Sequence, residues 1–151
     1  MTLALDAADP LAAYRDRFVG AETSLGYLDG NSLRRPLKAT GPRLARFVTE
    51  EWGSRLIRGW DERWLELPER IGDDLARVVL GAAPGQTTIG DSTTVLLYKL
   101  MRAAVAARPG RGEIVLDRDN FPTDRYVAAA VAEECGLVLR WIDVDPAGGV
   151  T

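Results

Sequence analysis

The sequence contains no histidine and only one cysteine among its 151 residues. Cys135 cannot form an internal disulfide, and without imidazole groups a zinc site or a histidine-based catalytic dyad has almost no side chains to draw on. No apolar run reaches the roughly 18 residues of a membrane-spanning helix. The first ten residues carry Asp6 and Asp9 but no basic region, which excludes a standard signal peptide. These absences favour a cytoplasmic protein without a metal centre.

The sequence also lacks an excess of positive charge, since 19 basic residues stand against 22 acidic ones and the formal net charge is −3. A nucleic-acid-binding protein needs a basic face or groove, so this balance argues against a nucleic-acid partner. Arg34, Arg35 and Lys38 form the densest basic cluster, and we interpret it as a solvated surface. A hydrophobic content of 46% is ordinary for a globular protein.

The order of apolar residues and of residues that interrupt helices, such as glycine and proline, divides the chain in two. Before Gly81 the pattern predicts helices over residues 10–19, 36–52 and 68–80, with an extended segment at 27–29. After Gly81 it predicts strands at 87–90, 113–116 and 138–144, and helices at 95–107 and 126–134. Strands that alternate with helices are typical of a parallel sheet, so we predict the α/β class. The predicted division is residues 1–81, a helical arm and layer, and residues 82–151, the first part of an α/β domain.

The end of the chain is expected to be incomplete. After the last predicted strand, residues 145–149 indicate a turn, and Thr151 is a suitable N-cap for a helix that does not follow.

Two strand-to-helix junctions carry groups suited to ligand binding, and α/β proteins place ligands at such junctions. At the first, Asp91-Ser92-Thr93-Thr94 opens a helix whose N-terminus offers free N–H groups and hydroxyls to an anion. Simple N-capping by Asp91 or Ser92 is the alternative. Together with the second junction, at residues 121–124, this one predicts a single shared pocket.

At the second junction, Phe121-Pro122-Thr123-Asp124 follows an apolar strand. Pro122 suits a first helical turn. Phe121 is either a core aromatic beneath the helix or a platform that stacks on the ring of a ligand.

Four segments of the chain resemble the N-terminal part of kynureninase. They are the two junctions and the segments Tyr27-Leu28-Asp29-Gly30-Asn31-Ser32-Leu33 and Arg58-Gly59-Trp60-Asp61. Kynureninase is a pyridoxal 5'-phosphate (PLP) enzyme of the aspartate-aminotransferase fold type. The resemblance runs from about residue 27 to the end. It implies an N-terminal helical arm and the first part of a mainly parallel, three-layer αβα large domain of PLP fold type I, left incomplete.

The resemblance also implies roles for individual residues. Thr93 and Thr94 contact the cofactor phosphate, Phe121 stacks on the pyridine ring, and Pro122, Thr123 and Asp124 line the cofactor pocket. Asp124 is not the acidic residue that pairs with the pyridine nitrogen. On the substrate side, Ser32 and Trp60 border L-kynurenine, although a turn serine and a core tryptophan remain the alternatives.

A complete kynureninase hydrolyses the Cβ–Cγ bond of L-kynurenine to anthranilate and L-alanine in tryptophan catabolism, and works as a homodimer. Its Schiff-base lysine, pyridinium aspartate and carboxylate-binding arginine are expected beyond Thr151. Lys38 and Lys99, the only lysines here, are interpreted as solvated. This chain alone is therefore not expected to turn over substrate.

One position departs from the family pattern, because Arg34 stands where glycine is usual. If that backbone has a positive φ, arginine is strained there.

Two alternatives remain. A cysteine-desulfurase-like or aminotransferase-like PLP enzyme usually has a histidine where Phe121 falls or a different aromatic context. A non-catalytic interaction module predicts a compact monomer without large apolar patches, whereas a fragment predicts an unfinished sheet edge and exposed apolar surface.

Overall fold

A computed structural model of the chain describes residues 2–23, 25–145 and 147–149. It divides into two compact units between Leu67 and Pro68. This boundary precedes the predicted division at 81/82, because the helix that follows Leu67 packs with the second unit. The functional division into an arm of residues 1–81 and a cofactor domain of residues 82–151 stays a prediction.

The first unit consists of short helices. They are α1 (Thr2–Ala7), a 3-10 helix (Ala12–Arg17), α2 (Thr40–Arg46), a π-helical segment (Phe47–Trp52), α3 (Gly53–Arg55), α4 (Arg58–Glu62) and a 3-10 turn (Trp64–Glu66). The helices predicted at 10–19 and 36–52 are thus present in shortened form. Pro36 does not begin a helix, since its carbonyl accepts a hydrogen bond from the Val19 amide (2.9 Å) and closes the loop between them.

The second unit contains longer helices and the sheet. Its elements are α5 (Leu67–Leu75) with a π-helical extension (Ala76–Leu80), α6 (Thr93–Ala106), β1 (Glu113–Asp117), α7 (Pro122–Cys135) and β2 (Val138–Ile142). The predicted helices and the last two predicted strands are confirmed within a few residues. Gly81 (φ 65°) and Gly136 (φ 65°) end their helices in the left-handed conformation that glycine adopts without strain.

β1, α7 and β2 form a β-α-β unit. The strands are parallel, with Ile114 opposite Leu139 and Leu116 opposite Trp141. These four side chains are half-buried, whereas Val115 between them is exposed, so one face of the sheet is covered. α7 contacts both strands and contributes three buried apolar residues, namely Ala128, Val131 and Ala132. The chain is therefore a partial α/β domain with a two-stranded parallel sheet.

The prediction of a strand at residues 87–90 is wrong. A strand needs a neighbouring strand to pair with its backbone groups, and the Ile89 amide instead donates to the Pro68 carbonyl (3.1 Å) at the start of α5. The predicted turn at 145–149 is closed by a hydrogen bond from the Gly149 amide to the Asp145 carbonyl (2.8 Å). Thr151, the predicted N-cap, lies outside the described residues.

The chain exposes far more surface than its size requires. Its accessible area is 12459 Å². A globular monomer of 16.5 kDa exposes roughly 7,500 Å², and two separate proteins the size of the two units expose roughly 9,100 Å² together. Much of the exposed surface is apolar, as at Leu28, Leu100 and Val138. This exposure matches the expectation for a fragment and counts against a compact interaction module. No helix in the described ranges is long and apolar enough to cross a membrane.

We predict that Gly72→Ala disrupts the second unit. Gly72 is buried on α5, where a β-carbon overlaps the Thr87 carbonyl and lies 2.7 Å from its carbon atom. Backbone at this contact cannot rotate away, so we expect a loss of about 1–3 kcal/mol in the free energy of unfolding, measured by denaturant titration with circular dichroism. Gly110→Ala is the control, because no atom lies within 4 Å of its added carbon. Equal stability of the two variants contradicts this packing.

Candidate functional site

The N-terminus of α6 offers free donors. Ser92 is the N-cap, and its Oγ accepts a hydrogen bond from the Val95 amide (3.3 Å), so the capping interpretation is correct for Ser92. The Thr93 and Thr94 side chains are exposed, and their hydroxyls have no partner among the described residues. Their amides also precede the first helical hydrogen bonds. Asp91, beside them, is paired with Lys99 (3.6 Å).

The start of α7 is held by its own loop. Asn120 Oδ1 accepts a hydrogen bond from the Phe121 amide (2.8 Å), and Asn120 Nδ2 donates to Asp117 Oδ2 (3.0 Å) at the end of β1. Phe121 is therefore fixed in extended backbone (φ −54°, ψ 138°) as the N-cap residue, and Pro122 occupies the first helical turn as predicted.

The Phe121 ring is 68% exposed, so it is not a core aromatic. Thr123 is exposed as well, and Asp124 is half-buried, with its amide bonded to the Phe121 carbonyl (3.0 Å). An exposed ring beside a carboxylate at the carboxyl end of a parallel strand can act as a platform for a flat ligand.

The two junctions belong to one unit but are offset along their helices. α6 meets α7 where Tyr98 Oη (3.3 Å) and Arg102 Nη1 (3.0 Å) donate to Glu134 Oε2. At 1.5 Å per residue, Thr93 lies roughly 7.5 Å from Tyr98 and roughly 13.5 Å from Arg102 along α6, and Pro122 lies roughly 18 Å from Glu134 along α7. No hydrogen bond between described residues joins the junctions.

Two arginines that we did not predict flank the second junction in sequence. Arg118, Arg125 and Trp141 line a cavity of about 180 Å³ at the carboxyl end of the sheet. Arg118 Nε is 3.0 Å from Asp143 Oδ1, and Arg125 Nη1 donates to the Arg118 carbonyl (3.0 Å). Arg118 is thus paired with a carboxylate, and Arg125 is engaged by a backbone carbonyl. The signal in the sequence was the position of Arg118 directly after a strand.

Ser32, in the first unit, is already engaged. Its Oγ donates to Asp29 Oδ1 (2.8 Å), and Tyr27 Oη donates to the Leu33 carbonyl (2.5 Å). The loop borders a cavity of about 590 Å³ whose lining includes Arg34. Arg34 is not strained, because Leu56 is the only non-glycine residue with a positive φ in the described part of the chain.

Trp60 lies in an aromatic cluster of the first unit. Its ring meets Trp64 edge to face (5.8 Å between centroids, 75° between planes), and Trp64 contacts Phe47 (5.6 Å). Trp60 is 49% exposed, and it lines a cavity of about 300 Å³ together with Leu56. The tryptophan thus packs against Trp64 and stays about half exposed, so it can meet a ligand without losing this packing.

The helix that carries Trp60 follows a strained residue and has an ion pair at its end. Leu56 precedes it with φ 51° and ψ −133°, a backbone region that costs a leucine about 1–3 kcal/mol. At the other end, Glu62 accepts hydrogen bonds from Arg55. This interaction lowers the pKa of the Glu62 carboxyl from its usual value. The ion pair is fully present near neutral pH and is lost as pH falls through the lowered pKa.

Other reactive groups are few. Lys38 and Lys99 are exposed, as expected. Within the described ranges no three carboxylate or thiol side chains are close enough to hold a metal ion.

Comparison with known proteins gives one consistent result. The chain is 42% identical over 149 residues to a kynureninase of Pseudomonas fluorescens, which covers 93% of this chain and 35% of that protein. It is 41% identical over 152 residues to a Burkholderia pseudomallei kynureninase (96% and 36%), and 43% identical over 141 residues to a Deinococcus radiodurans kynureninase (89% and 34%). No family model matches the chain.

These matches confirm the resemblance that the motifs indicated. The chain spans about one third of the length of the relatives it matches. The protein is a homologue of the kynureninases and corresponds to a fragment of them.

Proposed function

We propose that this chain provides the phosphate-binding and ring-stacking half of the PLP site of a kynureninase. The observation that carries the proposal is the pair of junctions in the second unit, where free donors at the start of α6 and an exposed ring at the start of α7 have no partners of their own. The whole protein is proposed to hydrolyse L-kynurenine to anthranilate and L-alanine.

The groups at the start of α6 fit a phosphate ester. Ser92 is used as the cap, which leaves the amides and hydroxyls of Thr93 and Thr94 as donors. The positive end of a 14-residue helix favours an anion at the same point. The negative charge of Asp91 repels a phosphate only weakly, because Lys99 partly neutralises it.

The groups at the start of α7 fit a planar heterocycle. The Phe121 backbone is fixed by Asn120, so the ring is held in place before a ligand arrives. Pro122 and Thr123 shape the wall beside it. Asp124 lies in the first turn of α7, where its carboxylate is available to a donor on the cofactor. Bound PLP supplies an electron-withdrawing ring that stabilises negative charge on a substrate carbon.

The first unit is proposed to contribute to the substrate wall. The exposed part of Trp60 provides a surface for the aromatic ring of L-kynurenine. Ser32 can offer its hydroxyl to a polar substrate group if it leaves Asp29, an exchange of one hydrogen bond for another.

The remaining parts of the proposal concern the whole protein. They are the three-layer αβα architecture of PLP fold type I, the homodimer, the cytoplasmic location and a lysine that attaches the cofactor, supplied by the part of a kynureninase that this chain does not span. The chain alone is proposed to be inactive.

The first experiment is to extend the reading frame past Thr151 and purify the longer protein. We expect visible absorbance of protein-bound PLP and release of anthranilate from L-kynurenine. PLP binding without anthranilate release favours another PLP enzyme of the same fold type. A longer protein that does not bind PLP contradicts the proposal.

In this longer protein, Thr93→Ala and Thr94→Ala are predicted to weaken PLP binding. A hydrogen bond to a charged group contributes about 1.5–3 kcal/mol, so each variant should raise the dissociation constant for PLP by roughly 10- to 100-fold. Thr49→Ala is the matched control, since its hydroxyl bonds only to carbonyls of its own helix. The measurement is a titration of the apoprotein followed by absorbance. Unchanged affinity in both α6 variants rules out this phosphate site.

Substitutions of Phe121 and Trp60 are predicted to have different effects, the first on cofactor binding and the second on substrate binding. Phe121→Leu removes stacking worth about 0.5–1.5 kcal/mol and should weaken PLP binding by roughly 2- to 10-fold. Trp60→Leu should leave PLP affinity unchanged and raise KM for L-kynurenine. Tyr126→Leu, at another exposed aromatic on α7, is the control for both. If Trp60→Leu shifts the PLP affinity and not KM, the substrate role is wrong.

A further inference from the structure

The helix that carries Trp60, α4, has only five residues. Isolated helices shorter than about 12 residues are marginal in water, so α4 is not stable by itself. Its N-cap residue, Ile57, makes no side-chain capping bond within the described part of the chain. The direction of α4, and with it the direction of the Trp60 side chain, therefore depends on contacts made outside the helix.

Two ion pairs tie the end of α4 to the helical segments before it. Arg55, the last residue of α3, donates from Nε to Glu62 Oε2 (2.8 Å) and from Nη2 to Glu62 Oε1. Arg63, the residue after α4, places Nη1 at 3.1 Å from Glu51 Oε1. Both pairs link the last residues of α4 to the segment 51–55.

The contact between Arg55 and Glu62 is bidentate. A guanidinium that meets both carboxylate oxygens fixes the relative orientation of the two side chains, which a single contact does not. The two side chains are 47% and 41% exposed, and exposed ion pairs contribute little to stability. The pair is therefore expected to act on the direction of α4 more than on the stability of the fold.

The start of α4 is held to the same segment. The Arg58 side chain donates from Nε to the Arg55 carbonyl (3.3 Å). The next residue, Gly59, is buried against the Trp64 ring, where an added β-carbon lies 2.7 Å from a ring atom. Since Trp60 meets the same ring edge to face, a rotation of α4 changes both contacts with Trp64.

We propose that Arg55 and Glu62 are positioning residues for Trp60, and that their ion pair directs the indole toward the aromatic ring of the substrate. The two residues act through α4, because the cavity of about 300 Å³ beside Trp60 is lined by apolar and aromatic side chains and not by this pair. Contact between two aromatic rings depends on their relative orientation. The inference rests on the proposed function for the substrate contact, but not for the orientation of the indole.

The orientation is tested by fluorine NMR of the 151-residue chain labelled with 5-fluorotryptophan. Its four tryptophan signals are assigned by replacing one tryptophan at a time with phenylalanine. The measurement is the shift of each signal between H2O and D2O, which reports exposure of the indole. We expect Arg55→Gln and Glu62→Gln to increase this isotope shift for Trp60, because an indole that turns away from Trp64 gains contact with water.

Arg77→Gln is the matched control, because it breaks a single-contact ion pair with Asp74 in the second unit. We expect it to leave the Trp60 isotope shift unchanged. Circular dichroism checks that each variant keeps its helices, and two substitutions on opposite sides of the pair guard against a local effect of either one. An unchanged isotope shift at Trp60 in both folded variants overturns the proposal, and so does an equal increase in Arg77→Gln.

Kinetics of the protein extended past Thr151 test the consequence for the substrate. Arg55→Gln and Glu62→Gln are each expected to raise KM for L-kynurenine by roughly 3- to 10-fold and to leave kcat within about 2-fold, since the loss of uniform binding raises KM alone. The double variant should show no more than the larger single effect, because both substitutions remove the same interaction. Fully additive effects contradict a shared action of the two residues.

The two measurements separate this inference from the proposed function. If the extended protein releases no anthranilate, the proposed function fails, while the isotope shift in the 151-residue chain still decides whether the pair orients Trp60. An increased isotope shift with unchanged KM in an active protein supports the kynureninase activity and overturns the role of the pair toward the substrate. A raised KM without a change at Trp60 also overturns it.

Discussion

The packing of α7 on the parallel pair β1 and β2 is the interaction on which the second unit depends. It buries Ala128, Val131 and Ala132 and covers one face of the sheet. Small side chains at these positions let the helix approach the strands closely. Because the crossover fixes the carboxyl end of β1 against the start of α7, it also fixes the Asn120 and Phe121 loop. The candidate ligand platform is thus a consequence of core packing.

The same packing leaves the second face of the sheet exposed. Two strands cannot bury both faces of a parallel sheet, and parallel sheets are normally covered on both sides. In the described part of the chain the sheet has two strands, and the large exposed area follows from this small number of layers. A chain that spans a third of its relatives is expected to show this imbalance.

Local sequence patterns were sufficient to predict the helices and strands whose stabilising contacts lie close in sequence. The helix after Ser92 has its cap and apolar residues within one segment, and Pro122 fixes the start of α7. The prediction failed at residues 87–90, where β-branched residues indicated a strand but no partner strand is present. The motifs at Thr93 and Phe121 indicated the family. Arg125 gave no signal, because its place beside Trp141 depends on the crossover.

The sequence by itself determined the class of the protein, the order of its main elements and the homology to kynureninases, since these follow from residue pattern and motif. Only the tertiary structure decided that the Phe121 ring is exposed, that Ser32 already bonds to Asp29, and that Arg34 has an unstrained backbone. Exposure and hydrogen-bond direction depend on neighbours brought together by folding, and no local stretch of sequence contains that information.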